Sequence, residues 1–208
     1  PRDGTHKQRA PVPASADTAA DFSGVTVGIP REYIVEGINA DVLEIFERAR
    51  KTIEDNGGTA VEVSLPHTEY GVAVYYILAC AEASSNLARF DGAHYGHRAE
   101  DHDSLITMFS NTRREGFGDE VKRRILLGTH VLSAGYYDAY YNKANKVRAL
   151  LKEDYMKAFD SCDMIMCPVA PTPAFRLGEM VDNPLEMYLS DIFTISLNLA
   201  GLDRKSVV

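Results

Sequence analysis

The sequence predicts an α/β fold, and three observations near its start carry that prediction. An apolar strand pattern at 25–29, Val-Thr-Val-Gly-Ile, is stopped by Pro30. Helical spacing follows over 39–55, and an alternating strand pattern occupies 59–65 and ends at Pro66. A strand, a helix and a strand joined by short connections are typical of a βαβ unit, so we expect helices packed on a sheet.

The helix predicted over Asn39–Asp55 has its apolar residues on one face. Asn56, Gly57 and Gly58 are expected to end it, because glycine adopts the left-handed conformation that helix C-termini favour. The apolar positions that define the face are Val42, Ile45, Phe46, Ala49 and Ile53.

The remainder of the chain is predicted to be mainly helical. Asn183 and Pro184 are expected to open the last helix, with Asn as the cap and Pro at the first helical position. In chain order, we expect helices over about 68–87, 105–109, 118–128 and 132–159, a strand at 164–167, the Pro-rich loop PVAPTP, and the helix from 183 toward Gly201.

Composition bounds the class of protein. The chain has 208 residues, is 45% hydrophobic and 25% charged, and so fits one globular domain or part of a larger one. A net charge of −8 argues against an autonomous nucleic-acid-binding protein. We recognise no membrane-spanning run and no signal peptide. The three cysteines, Cys80, Cys162 and Cys167, form no even framework, and we expect core thiols in a cytoplasmic protein without membrane association.

Arg124 is the first candidate functional residue. In the helix predicted over 118–128, Arg124 lies on the inward face, whereas Lys122 and Arg123 point toward water. A buried guanidinium needs an anionic partner. Two interpretations therefore stay open, namely pairing with a structural carboxylate or a snorkelling side chain on one hand, and ligand binding on the other. The residues that share the inward face are Val121, Ile125 and Gly128.

Asp191 is the second candidate, because it falls on the apolar stripe of the last helix. A buried carboxylate also needs a partner, which would be a local cap, an internal salt bridge or a ligand. An inward Arg and an inward Asp together suit a zwitterion, since Arg binds an α-carboxylate bidentately and Asp accepts from an α-ammonium group. A free amino acid is therefore a reasonable ligand class. The stripe consists of Tyr188, Ile192, Ile195 and Leu199.

Other candidates are weaker. His94 and His97 have a spacing that some metal sites use, but no further ligand cluster accompanies them, so we expect no metal site. Ser84 and Ser85 lie within a helical pattern rather than on the exposed turn that a nucleophilic serine needs. The cluster of tyrosines is expected to be mostly aromatic packing at a wet edge. Its members are Tyr136, Tyr137, Tyr140 and Tyr141.

Four segments resemble the amidase signature family, and within it the glutaminase (A) subunits of glutamyl-tRNA(Gln)/aspartyl-tRNA(Asn) amidotransferases. They are YYILACAEASSNLARFDGAHYG (75–96), EGFGDEVKRRILLGTHVLSAGYYDAYYNKANKVR (115–148), DMIMCPVAPTPAF (163–175) and MYLSDIFTISLNLAGL (187–202). The resemblance covers about residues 23–202. It implies a three-layer α/β/α amidase-signature fold with a mixed sheet, incomplete in this chain.

The resemblance implies that the parent subunit releases ammonia from glutamine. A B subunit would use this ammonia, with ATP and Mg²⁺, to amidate Glu-tRNA or Asp-tRNA, and a C subunit would join the two. No cofactor is expected in this chain itself, and tRNA would be contacted through the B subunit. The family's Ser, cis-Ser and Lys catalytic residues have no match here, so we assign no catalytic residue.

The same resemblance implies that Arg124 and Asp191 hold the substrate glutamine, with Tyr75 lining the pocket and Tyr76 as the alternative to Tyr75. Residues 1–22 are expected to be a linker, 23–202 the C-terminal part of the domain, and 203–208 a tail unlike the family. Two other functions stay open. One is a stand-alone amidase for other carboxamides, which would not need an inward Arg and Asp, and the other is a non-catalytic binding module. The identity of the acceptor tRNA is left open.

Overall fold

A computed structural model describes residues 21–34, 37–179, 187 and 190–202. These residues form three strands and six α-helices. The strands are β1 (Thr26–Pro30), β2 (Thr59–Val63) and β3 (Met164–Ile165), and the helices are α1 (Ala40–Asp55), α2 (Gly71–Asn86), α3 (Leu105–Gly116), α4 (Asp119–Leu132), α5 (Lys143–Ala158) and α6 (Ile192–Ala200).

The sheet has the order β2-β1-β3, with β1 in the centre. β1 pairs in parallel with β2, from Thr26 opposite Thr59 onward, and in parallel with β3, where Val27 lies opposite Met164. The predicted βαβ unit is therefore confirmed. The mixed sheet implied by the resemblance is not seen in the described residues, because their three strands pair only in parallel.

The boundaries of α1 agree with the sequence prediction. The Asn39 side chain accepts a hydrogen bond from the Asp41 N–H at 2.8 Å and so caps the first turn. Gly57 follows the helix with a φ of +90°, a left-handed conformation that suits glycine. The polar cap and the glycine therefore define both ends of this helix.

Two helix ends differ from the prediction. α3 runs to Gly116 rather than ending at Phe109, and its N-terminus is a reciprocal capping box between Ser104 and Thr107. α4 runs to Leu132 and does not end at Gly128. Gly128 is buried, and a Cβ placed there would lie 1.9 Å from the Cys80 carbonyl oxygen of α2. This glycine therefore permits close packing of α4 on α2 instead of ending a helix.

The single helix predicted over 132–159 is wrong. α4 ends at Leu132. The hydroxyl of the next residue, Ser133, donates to the His130 carbonyl, and Gly135 follows with a φ of +90°. A π-helical turn at Asp138–Asn142 then leads into α5. The interruption turns the chain where the helical periodicity predicted no break.

Two groups of buried side chains form the core. One contacts the sheet and includes Leu65 and Phe193, and the other lies between α2, α5 and α6 and includes Val74, Leu151 and Ile195. Cys80 and Cys162 are buried and Cys167 is half-buried, all as free thiols. Burial raises the pKa of the Cys167 thiol to about 11, so it stays protonated at neutral pH.

Three buried hydroxyls bond to one another where α5 and α6 meet the turn after β1. The Tyr155 hydroxyl lies 2.9 Å from that of Tyr33 and 2.8 Å from that of Ser196, and Tyr33 and Ser196 are also bonded. Burial raises the pKa of Tyr155 above its ordinary value of 10.0. The group therefore keeps its proton in the folded state and loses it in the unfolded state as the pH rises above that value.

We therefore expect the free energy of unfolding to fall as the pH rises above about 10, because the unfolded chain alone releases the Tyr155 proton. Urea unfolding followed by circular dichroism between pH 7 and 11 measures this slope. Tyr155→Phe should reduce it and cost about 1 kcal/mol at pH 7. Tyr137→Phe is the control, since its ring is 42% exposed. An equal slope in the Tyr155 variant would contradict the assignment.

Among the described residues, no helix has both the length and the apolarity to cross a membrane. The cap predicted at Asn183 and Pro184, residues 1–20 of the linker predicted over 1–22, and the tail over 203–208 lie outside the described residues. The boundaries proposed for the linker and the tail therefore stay predictions.

Candidate functional site

The candidate site lies where α4 packs against α2. Asp119 and Glu120 occupy the first turn of α4, where carboxylates interact favourably with the helix dipole. Arg124 follows one turn later on the inward face, and Arg123 points outward with 62% of its side chain exposed. The phase predicted for these two arginines is confirmed. Lys122, predicted to point toward water, is 38% exposed and pairs with Asp119 at 3.6 Å.

The Arg124 guanidinium is held on three sides. Its Nε donates to Glu120 Oε1 at 2.9 Å, and its Nη1 donates to the Tyr75 hydroxyl at 3.4 Å. Its central carbon lies 5.5 Å from the centroid of the Tyr76 ring, within the range of a cation–π contact. With 31% of its side chain exposed, Arg124 is half-buried and still reaches solvent.

Tyr75 and Tyr76 both contact Arg124, and which of them lines a ligand pocket stays a prediction. Their rings meet edge to face with centroids 5.1 Å apart. Tyr75 supplies the hydroxyl and Tyr76 the ring face, as adjacent residues half-buried on α2. The sequence prediction named Tyr75 with Tyr76 as its alternative, and it did not foresee that both would contact Arg124. The reason is that Arg124 and the two tyrosines lie on different helices. The sequence does not show which face of α2 packs against Arg124.

Arg124 is a permanent cation in this setting. Partial burial acts to lower the pKa of its guanidinium, but the hydrogen bonds with Glu120 and Tyr75 outweigh burial and hold the pKa above its ordinary value. Of the five N–H groups of a guanidinium, Glu120 and Tyr75 each take one. The contacts within the described residues thus leave N–H groups on Nη1 and Nη2 for an anion.

The structural alternative for Arg124 also has support, because a carboxylate of the protein itself pairs with it. Glu120 lies four residues earlier on the same helix, a spacing that brings side chains together. This partner was missed from the sequence, although the Glu–Arg spacing was visible there. Glu120 takes only the Nε N–H of Arg124, and Tyr75 takes one N–H of Nη1, so the guanidinium has further N–H groups beyond these contacts.

Asp191 is not buried, contrary to the expectation that it lies on the apolar stripe. It is exposed and immediately precedes α6, where its backbone carbonyl accepts from the N–H groups of Thr194 and Ile195. The buried face of α6 is instead formed by Phe193, Ile195, Ser196, Leu199 and Ala200. The physical reason is that α6 begins only after Asp191, so the phase counted from Tyr188 does not hold.

The structure connects Asp191 to Arg124 only indirectly. Ile195, one turn after Asp191, packs in the core group to which Tyr75 contributes, and Tyr75 contacts Arg124. Within the described ranges, the Arg124 ion pair is with Glu120 and not with Asp191. The joint role of Arg124, Asp191 and Tyr75 in holding a ligand stays a prediction.

The weaker candidates find structural partners. His94 pairs with Asp91 at 2.7 Å and His97 with Glu115 at 2.8 Å. No group of three potential metal ligands occurs in the part of the chain that the structure describes. Ser84 is buried in α2 and donates to the Ala81 carbonyl at 2.9 Å, so it is not presented as a nucleophile.

The tyrosine cluster packs as predicted, with its edge in solvent. Tyr137 and Tyr141 stack with centroids 5.1 Å apart, and the Tyr141 hydroxyl donates to Glu82 of α2 at 2.8 Å. Tyr136 packs on His130, with centroids 4.3 Å apart, and on Tyr140. These contacts support the junction between α4 and α5.

Comparison with known sequences gives the family. The sequence model of the family described as Amidase matches residues 1–208. The chain belongs to the amidase family. Among curated amidase-family relatives, the A subunit of the glutamyl-tRNA(Gln) amidotransferase of Heliobacterium modesticaldum is 60% identical over 186 residues, covering 89% of this chain and 38% of the relative. That of Geobacter metallireducens is 54% identical over 208 residues, covering 100% and 43%.

Solved structures of the amidase family share the fold. The A subunit of the glutamyl-tRNA(Gln) amidotransferase of Thermotoga maritima is 40% identical with a TM-score of 0.62, and the match covers 87% of this chain and 34% of that one. Another amidase is 21% identical with a TM-score of 0.65 over 91% of this chain and 40% of that one, which shows the fold alone. The α/β amidase-signature fold is thus confirmed, and this chain spans about two fifths of the length of the curated relatives it matches.

Proposed function

We propose that this chain forms part of the glutaminase (A) subunit of a tRNA-dependent amidotransferase and contributes one side of its glutamine pocket. The observation that carries the proposal is the half-buried Arg124, whose guanidinium is held by Glu120, Tyr75 and Tyr76 with N–H groups left for an anion. This arrangement suits the α-carboxylate of a free amino acid. The curated relatives that carry the name of this subunit support the same choice.

In this proposal, Asp191 accepts from the α-ammonium group of glutamine and Tyr75 lines the pocket. Asp191 is exposed and immediately precedes α6, so its carboxylate is accessible to a ligand. The nucleophile comes from a part of the subunit that this chain does not match. Ammonia passes to a B subunit in the cytoplasm, where ATP and Mg²⁺ serve to amidate Glu-tRNA(Gln) or Asp-tRNA(Asn), and a C subunit completes the complex.

A graft tests the proposal directly. The matched segment of the Heliobacterium modesticaldum protein is replaced by this chain, and the chimera is produced together with its natural partner subunits. We expect glutamine hydrolysis that depends on the grafted residues. A folded chimera that hydrolyses a simple carboxamide but not glutamine would favour the stand-alone amidase, which has no need of Arg124.

We expect the purified chain alone to release no ammonia from glutamine, because none of its serines matches the family's nucleophile. A coupled glutamate dehydrogenase assay with millimolar glutamine measures this, and the chimera is the positive control. Ammonia release by the chain alone, abolished by Ser84→Ala, would contradict the prediction and place a nucleophile in α2.

A further inference from the structure

Glu120 uses its two carboxylate oxygens on two different arginines. Oε1 accepts from the Nε of Arg124 at 2.9 Å, and Oε2 accepts from Arg123 Nη1. Glu120 precedes Arg123 by three residues and Arg124 by four, so one carboxylate on a single helix turn meets both. The three side chains together carry a net charge of +1.

The contact of Glu120 with both arginines affects the charge at the site where a ligand would bind. A carboxylate paired with Arg124 alone would neutralise it and oppose a second carboxylate. Since Arg123 also pairs with Glu120, Arg124 keeps an effective positive charge for an incoming anion. Both Glu120 and Arg123 are substantially exposed, at 43% and 62%, so solvent screens the effect and it is moderate.

The contacts of Arg124 also limit the orientation of its guanidinium. The Glu120 contact occupies Nε, the Tyr75 hydroxyl takes one N–H of Nη1, and the Tyr76 ring lies against the guanidinium. A rotating guanidinium would offer its N–H groups in several directions. With Nε held, the N–H groups that remain are on Nη1 and Nη2, and a pair of such donors matches the two oxygens of a carboxylate.

We propose that Glu120 is a positioning residue for the substrate, which orients Arg124 toward the glutamine α-carboxylate while Arg123 offsets the charge of Glu120. This inference rests on the proposed function. It assigns to Arg123 an electrostatic role in binding, although its side chain points away from the site.

Steady-state glutamine hydrolysis by the chimera tests it. Glu120→Ala should raise the glutamine KM about three- to tenfold with kcat nearly unchanged, because Arg124 loses its orientation and not the reacting groups. Glu120→Gln should fall between this variant and the unaltered chimera, since the amide keeps one acceptor oxygen but replaces the other with an NH2 group that cannot accept from an arginine. Melting temperatures verify that the variants stay folded.

Arg123→Gln and Lys122→Gln form a matched pair that changes the charge equally. Lys122 pairs with Asp119 at 3.6 Å, while Arg123 pairs with Glu120. Arg123→Gln should raise the glutamine KM about two- to fivefold, and the increase should shrink in high salt. Lys122→Gln should change KM less than about twofold.

The outcomes separate the two proposals. If Glu120→Ala leaves the glutamine KM unchanged, Glu120 only forms ion pairs on the helix surface. If the KM falls, Glu120 competes with the substrate for Arg124. Either result overturns the inference. Equal effects of Arg123→Gln and Lys122→Gln would overturn the role given to Arg123. A chimera without glutaminase activity, or one whose KM is insensitive to Arg124→Ala, counts against the proposed function itself.

Discussion

Arg124→Ala in the chimera is expected to raise the glutamine KM by about 30-fold or more. Removing one partner of a hydrogen-bonded charge pair costs ~2–5 kcal/mol, and the partial exposure of Arg124 places the cost toward the lower end. At about 1.4 kcal/mol per factor of ten, 2 kcal/mol corresponds to roughly 30-fold. Steady-state kinetics with glutamine as the varied substrate measures the change.

Two controls sharpen this result. The KM values for ATP and for tRNA should stay within about twofold, because Arg124 contacts neither in the proposed arrangement. Arg124→Lys should lie between the alanine variant and the unaltered chimera, since it keeps the charge and loses the planar pair of donors. An unchanged glutamine KM in the alanine variant would remove the residue from the pocket.

Gly128→Ala is expected to destabilise the fold by about 3 kcal/mol. The added Cβ would lie 1.9 Å from the carbonyl oxygen of Cys80 and 2.7 Å from the Ser84 hydroxyl, so the two helices must separate. Overpacking of this kind costs about 1–3 kcal/mol or more, and a backbone neighbour cannot rotate away. Urea unfolding of the purified chain measures the cost.

Gly116→Ala is the matched control for that experiment. A Cβ at Gly116 would meet only His97, whose Cβ lies 3.7 Å away, which is an ordinary contact. The control should be neutral or stabilise the chain by up to about 1 kcal/mol, because alanine favours helix. A cost below 1 kcal/mol for Gly128→Ala would show that α2 and α4 adjust easily.

The parts of the fold that could be predicted from the sequence are those that local chemistry determines. The start of α1 next to Asn39, the glycine end of α1 and the βαβ succession depend on neighbouring residues, and the structure has them where the pattern placed them. The inward position of Arg124 could also be predicted locally, because residues three and four positions apart in one helix lie on the same face.

The parts that could not be predicted depend on contacts between elements distant in sequence. Gly128 is a residue type that often ends a helix, but here it lets α4 pack closely on the backbone of α2. Local periodicity carries no information on that contact. Asp191 is exposed because α6 begins only at Ile192. When the first residue of a helix is predicted wrongly, the residues assigned to its buried face are wrong as well. Glu120 is the opposite case. Its four-residue spacing from Arg124 in one helix is enough to predict that the two side chains pair.

The order β2-β1-β3 has a practical consequence for handling the chain. Among the described strands only β1 has a strand neighbour on both sides, so within the described residues the outer sides of β2 and β3 are not paired with a further strand. Strand margins of this kind recruit further strands from other molecules. Concentrated solutions of the isolated chain should therefore self-associate through the sheet, and the dilute or grafted forms are the ones suited to quantitative work.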